Sequence, residues 1–334
     1  MIIEKIKVYL LRDNPISSKI QLKKLYNYLN LIDPNRIKSI IERRQIVKLS
    51  RTEQIIPNEI EKSVNTFVDR MKTNLSEEKT KNLVSNIDWV EIRILGKFGQ
   101  SEILGQYYSK KNKIELHKIS SIYHELFHLS ANDININDTS NGFYYDLNDC
   151  SIGEGLNEGY IEVLVERYFE DETKEQEEIY SFEKKCAKVL EEIVGQENME
   201  TLFFNQDLLG LISILKNYYS SEEIIEFLTI IDVILAYRQK SVVGNKEFEI
   251  INSKFQKVIC FLIKGKCIKL SNQNNTLEHN TNVMKETLSN INVHIDFGLE
   301  RFTEVDIDSI VDIMTTYLGD NIDLEAFKTN KNVL

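Results

Sequence analysis

Residues 123–129 read Tyr-His-Glu-Leu-Phe-His-Leu, and the rest of the chain is best understood outward from this stretch. Two imidazoles, His124 and His128, stand four positions apart, and Glu125 directly follows the first. On a helix, residues four positions apart lie one above the other, so both rings can reach a single metal ion. Zinc in catalytic sites typically takes three protein ligands and keeps a fourth position for water. Glu125 would then act as a general base toward that water without binding the metal.

The helical phase of this stretch separates its polar and apolar residues. At about 100° per residue, Ile122, Leu126 and Leu129 fall on the side opposite the two histidines. The chain has 5 histidines in 334 residues, so chance would produce H-E-x-x-H in roughly one such chain in a hundred. The alternative is a purely structural role, in which the two histidines are hydrogen-bonded core residues. The phase and the rarity of histidine together favour a metal site.

A second acidic stretch follows at residues 155–162, which read Gly-Leu-Asn-Glu-Gly-Tyr-Ile-Glu. Glu158 and Glu162 are again four positions apart on an expected helix. Two carboxylates on one face repel each other unless a positive group lies between them, so we assign Glu158 as the third ligand. Glu162 would accept a hydrogen bond from a ligand imidazole and fix its tautomer. A solvated acidic face is the alternative, because Glu154 and Glu166 share this helix.

The pattern H-E-x-x-H followed by N-E-G-x-x-E resembles the gluzincin metallopeptidases. The resemblance implies that His124, His128 and Glu158 bind zinc and that Glu125 is the general base. It also implies that Glu162 supports a ligand histidine from outside the ligand set. The strand just before the zinc helix in such enzymes is often a sheet edge that pairs with an extended peptide. Peptide or protein substrates and a Zn²⁺ cofactor are therefore expected.

The resemblance covers about residues 103–170 and implies a fold class. This is an α+β fold, with a zincin-like catalytic core (a small mixed sheet plus the H-E-x-x-H helix) within a mostly α-helical protein. Glu158 lies 30 positions beyond His128 (158 − 128), a longer gap than in the best-known members. Glu154 therefore remains the alternative third ligand. Its other interpretation is a helix-capping box, because it stands three positions after Ser151.

The chain divides into three expected regions on the basis of its periodicity and its prolines. These are an N-terminal helical region at 1–85, a catalytic core at 86–170 and a C-terminal helical domain at 171–334. In the first, apolar periods predict helices at 20–31 and 37–47, and Ser76 could cap another helix. In the core, alternation predicts strands at 89–95, 103–108 and 113–117. In the last, we predict helices at about 173–194, 221–239, 246–264 and 300–318, a capping box at 220–223 and a polar linker at 271–282.

Between the two ligand segments, residues 131–151 are rich in Asn, Asp and Ser and predict a long loop. The loop contains Tyr144 and Tyr145. The resemblance to the gluzincins bears on them, because thermolysin-like members of that family place a tyrosine in a comparable interval. We take Tyr145 as the candidate donor to the oxyanion that forms when water attacks a carbonyl. Tyr144 and the tyrosines of the C-terminal region, Tyr218, Tyr219 and Tyr237, are alternatives. A tyrosine that merely pins the loop is equally compatible with this position.

Composition excludes several classes of function. The net charge of −11 without a cluster of Lys and Arg argues against nucleic-acid binding. The N-terminus lacks the apolar run of a signal peptide, and the most apolar stretch, 224–237, is too short to span a bilayer. We expect a cytoplasmic protein, with leaderless export left open. The oligomeric state leaves no mark on the sequence. Four cysteines without C-x-x-C spacing predict free thiols: Cys150, Cys186, Cys260 and Cys267.

These observations together predict a zinc-dependent metallopeptidase in which Glu125 is the general base. One alternative is a zinc hydrolase of a small amide, such as a deformylase-like enzyme. Those enzymes use a cysteine upstream of H-E-x-x-H, and no cysteine precedes Cys150 here. Another alternative is a non-enzymatic helical interaction protein with a structural zinc site. A purely structural site has no need of Glu125, which favours the enzyme.

Overall fold

The computed structural model describes residues 58–88, 90–94, 104–132, 140–146, 151–173, 180–238, 244–291 and 305–328. These residues are mostly helical, with two small sheets, as expected for an α+β fold. The helices are α1 (Asn58–Met71), α2 (Glu77–Ile87), α3 (Ile122–Ala131), α4 (Glu154–Thr173), α5 (Ser181–Val194), α6 (Gln196–Phe204), α7 (Leu208–Leu215), α8 (Ser221–Arg238), α9 (Asn245–Ser271), α10 (Leu277–Ile291), α11 (Ile307–Leu318) and α12 (Glu325–Lys328). The strands are β1 (Glu91–Ile94), β2 (Gly105–Tyr108), β3 (Lys113–Leu116), β4 (Ser140–Asn141), β5 (Tyr144–Asp146) and β6 (Ser151–Ile152). The helices predicted at 20–31 and 37–47 lie outside the described residues.

The first sheet is a small mixed sheet with the strand order β1-β3-β2. Strand β3 pairs in parallel with β1 and antiparallel with β2. The turn between β2 and β3 contains Asn112 at φ 45°, in the left-handed region that asparagine tolerates. The expectation that the strand before the histidine helix is the edge was wrong. Strand β3 is central because β1 and β2 pair on its two sides, and β2 is an edge of the described sheet.

Helix α3 carries the histidines and is buried on nearly every side. Ile122, Leu126 and Leu129 are at most 1% exposed, as the helical phase predicts. Helix α1 also packs against α3, where Phe67 meets Phe127 edge-to-face with ring centroids 5.0 Å apart. Burial of apolar surface stabilises by about 25 cal/mol per Å² and so fixes the position of the helix that carries the two histidines.

Two helix starts follow the capping chemistry predicted from the sequence. At α2, the side chain of Ser76 accepts a hydrogen bond from the backbone N–H of Lys79 (3.3 Å). At α8, Ser220 and Glu223 form both hydrogen bonds of a capping box, at 2.8 and 3.3 Å. Each bond satisfies an N–H group that has no partner within its own helix.

The predicted long loop at 131–151 was partly wrong, because it contains the second sheet. Strands β4, β5 and β6 form an antiparallel meander in which Ser140 pairs with Tyr145 and Tyr145 with Ile152. The β4–β5 turn contains Gly142 at φ +55°, where a residue with a side chain would be strained. Strands of two or three residues are too short to show an alternating pattern, so the composition suggested only a loop.

The C-terminal half also departs from the predicted linker at 271–282. Helix α10 starts at Leu277, where Thr276 accepts a hydrogen bond from the backbone N–H of His279 (3.2 Å). This helix buries Met284, Leu288 and Ile291 against the common core, so its polar residues form one face of an amphipathic helix.

Two further properties of the described residues bear on the sequence expectations. Within the described ranges, no helix combines the length and apolarity needed to cross a membrane. Three of the four cysteines are free thiols, as expected: Cys186, Cys260 and Cys267. Cys150 lies outside the described residues.

Candidate metal centre

Helices α3 and α4 bring together three groups that could hold a metal ion. Among the described residues, ligand atoms of His124, His128 and Glu158 all lie within 4.8 Å of one another. The Oε2 atom of Glu158 is 2.9 Å from Nε2 of His124, and its Oε1 atom is 3.3 Å from Nε2 of His128. The two Nε2 atoms are 3.2 Å apart. All three side chains are at most 15% exposed.

The other nitrogen of each ring faces an oxygen from outside this group. Nδ1 of His124 lies 2.7 Å from Oε1 of Glu162, one helical turn beyond Glu158. Nδ1 of His128 lies 3.0 Å from Oδ1 of Asn141 in β4. The amide of Asn141 is oriented by its own Nδ2, which donates to the backbone carbonyl of His128. Glu162 therefore lies where its spacing from Glu158 predicts, while Asn141 was not anticipated.

These contacts decide which nitrogen of each ring can bind a metal. A carboxylate oxygen and an amide oxygen both accept hydrogen bonds, so a proton on each Nδ1 is satisfied by Glu162 or by Asn141 and leaves Nε2 available to a metal. The Nε2 lone pairs of His124 and His128 then face the same space as the carboxylate of Glu158. Three such groups at these distances could hold a cation between them. Two imidazole nitrogens and one carboxylate are a donor set that Zn²⁺ accepts.

The pKa values of the three side chains show that each carboxylate stabilises positive charge on the imidazoles. Burial opposes the charging of His124, but its hydrogen bonds to Glu158 and Glu162 outweigh burial and raise its pKa well above the usual value. For His128, burial is likewise outweighed by the charge of Glu158, and the pKa is raised. Burial also opposes the ionisation of Glu158, yet the two imidazoles lower the pKa of its carboxyl.

Glu125 lies beside the cluster but is outside the ligand group. Its side chain is 4% exposed, and burial raises the pKa of its carboxyl. A β-carbon at Gly105, the first residue of β2, would lie 2.6 Å from Oε1 of Glu125. Gly105 therefore leaves the space that the Glu125 carboxylate occupies. A buried carboxylate with a raised pKa, next to a metal site, suits a general base.

The structure does not bring Tyr145 to the ligands. Its hydroxyl donates a hydrogen bond to the backbone carbonyl of Gln206, and its ring is buried. Tyr144 pairs with Asn141 in the β4–β5 ladder. Of the more remote candidates, Tyr219 stacks on Phe261 of α9, with ring centroids 3.7 Å apart.

Two tyrosines stack on the candidate ligands: Tyr107 of β2 on His128, with ring centroids 6.5 Å apart, and Tyr180, the residue before α5, on His124. The ring of Tyr180 stacks on His124 with centroids 5.5 Å apart and an interplanar angle of 23°. Its pKa is raised, first by the negative charge of Glu158 and then by burial and by Glu125. The hydroxyl therefore keeps its proton and is a donor. Only a weak positional signal marks this residue in the sequence, namely a tyrosine just before the helix that follows α4.

The glycine of the N-E-G pattern explains why Tyr180 can reach the cluster. Helices α4 and α5 pack so closely that a β-carbon at Gly159 would lie 2.2 Å from the carbonyl oxygen of Glu183. Glu183 is three positions beyond Tyr180, in the first turn of α5. Gly159 thus permits the close helix contact that holds Tyr180 over His124.

The start of α4 is fixed by a carboxylate from a distant helix. Asp232 of α8 accepts hydrogen bonds from the backbone N–H groups of Gly153 and Gly155, each at 2.8 Å. Burial raises the pKa of Asp232 to about 7. The capping box proposed for Ser151 and Glu154 was wrong, because Ser151 lies in β6 and Asp232 takes the N–H groups. Glu154 stands in the first turn of α4, outside the convergent ligand group.

Comparison with known proteins adds no relative. No protein-family model, no curated protein and no solved structure matches this chain. The function is therefore inferred from the geometry of the site.

Glu162→Ala is expected to weaken the binding of a metal ion at this candidate site about 10- to 100-fold without emptying it at saturating metal. The loss follows because Glu162 holds the Nδ1–H of His124 and so orients its Nε2 lone pair. Competition with a chromophoric chelator measures the affinity. Glu166→Ala, one turn further along α4 and paired with Lys188, is the matched control. Equal affinities for the Glu162 variant and the wild type would reduce Glu162 to a charge that merely lies nearby.

Gly159→Ala is expected to lower the free energy of unfolding by about 1–3 kcal/mol, the usual range for overpacking. The reason is that the new β-carbon would meet the α5 backbone, which cannot move aside as a flexible side chain can. Urea denaturation at fixed metal concentration measures the change. Gly244→Ala is the control, since its β-carbon would meet nothing nearer than 3.5 Å. A Gly159 variant as stable as the wild type would contradict the close α4–α5 contact.

Proposed function

We propose that this chain is a zinc-dependent metallopeptidase of the gluzincin type, with a zincin-like catalytic core formed by the mixed sheet, α3 and α4. The observation that carries the proposal is the convergence of His124, His128 and Glu158 beside a buried Glu125 that belongs to no ligand group. A structural zinc site has no use for that carboxylate. When zinc is bound by these three residues, it lowers the pKa of water toward neutrality and polarises a carbonyl group.

Residues of the chain transfer the proton, stabilise the oxyanion and orient the metal ligands. Glu125 accepts a proton from the attacking water and returns it to the leaving amine, a role that its raised pKa supports. The hydroxyl of Tyr180 donates a hydrogen bond to the carbonyl oxygen of the substrate as that oxygen gains negative charge. Glu162 and Asn141 hold the Nδ1–H groups of the two imidazoles, so that both Nε2 atoms stay directed at the metal.

The mixed sheet supports an extended peptide as the substrate. Strand β2 is an edge of the described sheet, and its first residue, Gly105, abuts Glu125. A peptide added to a sheet edge gains main-chain hydrogen bonds, while pockets for alternate side chains give specificity. Pairing with β2 would bring a peptide bond next to the general base.

The proposal is tested by digestion of an unstructured protein such as a casein, with the products read by mass spectrometry. The purified chain should cleave the protein, lose this activity after dialysis against a chelator and regain it with one equivalent of zinc. A zinc-loaded chain that cleaves no member of a panel of unstructured proteins would overturn the proposal in favour of a structural site. Cleavage that survives complete removal of the metal would also overturn it.

Tyr180→Phe is expected to lower kcat by about 10²–10³-fold, the usual effect of removing one oxyanion donor. The ring that stacks on His124 is retained, so zinc stoichiometry should not change. Steady-state hydrolysis of a peptide found in the digestion assay measures the effect. Tyr145→Phe is the comparison and should lower kcat much less, because its hydroxyl is bonded to the backbone carbonyl of Gln206. The opposite ranking of the two variants would return the role to Tyr145.

A further inference from the structure

Gln206, in the connection between α6 and α7, is held in an unfavourable state. Its φ is +56°, and among the described residues only Asn112 shares a positive φ without being a glycine. Its side chain is buried, and its Nε2 atom has no hydrogen-bond partner within the described part of the chain. The positive φ belongs to the C-terminal cap of α6, because the N–H of Gln206 bonds to the carbonyl of Phe203 at 3.0 Å and the N–H of Asp207 bonds to the carbonyl of Leu202 at 2.9 Å. The unpartnered buried amide is the disfavoured feature, and such a group calls for a structural explanation.

The acceptor groups of Gln206 are directed at the β4–β5 hairpin. The hydroxyl of Ser140 donates to Oε1 of Gln206 at 2.6 Å. The hydroxyl of Tyr145 donates to the backbone carbonyl of the same residue. Ser140 and Tyr145 lie opposite each other in the ladder, so Gln206 holds both members of one cross-strand pair.

The hairpin in turn holds His128. Asn141 is the next residue after Ser140 in β4, and it contacts His128 twice, through the backbone carbonyl and through Nδ1 of the ring. The turn of the hairpin is also tied to the other ligand helix, since Asn157 accepts a hydrogen bond from the backbone N–H of Phe143 at 2.9 Å. A displacement of Ser140 would therefore move Asn141 relative to the imidazole.

We propose that Gln206 is a positioning residue for His128, which acts through Ser140 and Asn141. It fixes the strand that keeps the proton on Nδ1 and directs the Nε2 lone pair toward the metal. The inference rests on the proposed function in one respect, namely that His128 is a metal ligand. The left-handed backbone is the conformation in which the side chain and the carbonyl of Gln206 both meet the hairpin.

Gln206→Gly separates this role from general stability. Glycine adopts φ +56° without strain and keeps the backbone carbonyl that Tyr145 contacts, but it removes the acceptor for Ser140. Ser140→Ala removes the same hydrogen bond from the other side. Asn205→Gly, the neighbouring residue at φ −87°, controls for added backbone freedom.

The affinity of each metal-free variant for Co²⁺ and Zn²⁺ is measured, together with the d–d absorption of the Co²⁺ form and the urea midpoint. We expect Gln206→Gly and Ser140→Ala each to weaken binding about tenfold, the lower end of what outer hydrogen bonds contribute, and to shift the d–d band. Their double variant should lose no more than either one, because both remove a single link. The Asn205→Gly affinity should stay at the wild-type value, and the urea midpoints show that Gln206→Gly and Ser140→Ala are folded.

Wild-type affinity and an unchanged d–d band in both Gln206→Gly and Ser140→Ala would overturn the positioning role while leaving the metal site intact. Additive losses in the double variant would also overturn it, because the two groups would then act separately. If the wild-type chain itself binds neither Co²⁺ nor Zn²⁺, the proposed function fails, and this inference fails with it. The wild-type titration therefore distinguishes the two failures.

Discussion

Glu125→Gln is expected to bind one zinc per chain and to lose nearly all hydrolytic activity. The amide has almost the size of the carboxylate, so the buried space beside Gly105 remains filled. It cannot accept a proton from water, and general acid–base catalysis of this kind contributes about 10²–10⁴-fold in rate. Removal of a carboxylate whose pKa is raised by burial should not lower the stability of the fold.

Zinc stoichiometry and the rate of peptide cleavage are measured on the same preparation. The expected combination is unchanged metal content and a rate lower by at least about 10². Wild-type rates in Glu125→Gln would remove Glu125 from the mechanism. Loss of zinc would instead mean that Glu125 is a ligand, and the assignment of Glu158 would need to be reconsidered.

Glu158→Ala is expected to lose tightly bound zinc and all activity, whereas Glu154→Ala keeps both. Glu158 contacts both Nε2 atoms, and its removal leaves two buried imidazoles facing each other without an anion. Glu154 lies one turn earlier, where an acidic residue gains about 0.3–1 kcal/mol from the helix dipole. Because Asp232 already caps α4, the effect of Glu154→Ala should stay within that range.

Metal analysis of the two purified variants, side by side after dialysis against a weak chelator, decides between the carboxylates. Urea denaturation of the metal-free proteins shows whether either variant is merely unfolded. A Glu154→Ala protein without zinc, beside a Glu158→Ala protein that retains it, would transfer the third ligand to Glu154.

The parts of this site that could be predicted from the sequence are those set by helical periodicity. The spacing of His124 and His128 fixes their relative position on one helix, and the spacing of Glu158 and Glu162 does the same on another. Next to two imidazoles, a carboxylate pair with this spacing predicts one metal ligand, Glu158, and one hydrogen-bond acceptor for a ligand imidazole, Glu162. The capping box of Ser220 and Glu223 is local in the same sense, because two residues three positions apart form it.

The parts that could not be predicted depend on contacts between distant segments. Tyr145 was the candidate donor because it lies between the ligand segments in sequence, yet its hydroxyl is bonded to Gln206. Tyr180 reaches His124 only because Gly159 lets α5 approach α4. Asp232 caps a helix that begins 78 positions earlier (232 − 154). No local sequence pattern predicts the contact of Tyr180 with His124 or the capping of α4 by Asp232.

The most direct test of the account is zinc K-edge X-ray absorption of the chain loaded with one equivalent of zinc. We predict two imidazole nitrogens, oxygen from one protein carboxylate and a solvent oxygen, with ligands at about 2.0–2.2 Å. The spectrum of Glu125→Gln should be the same, because that residue does not bind the metal. A spectrum without imidazole scattering, or with four protein ligands and no solvent oxygen, would contradict the catalytic zinc centre.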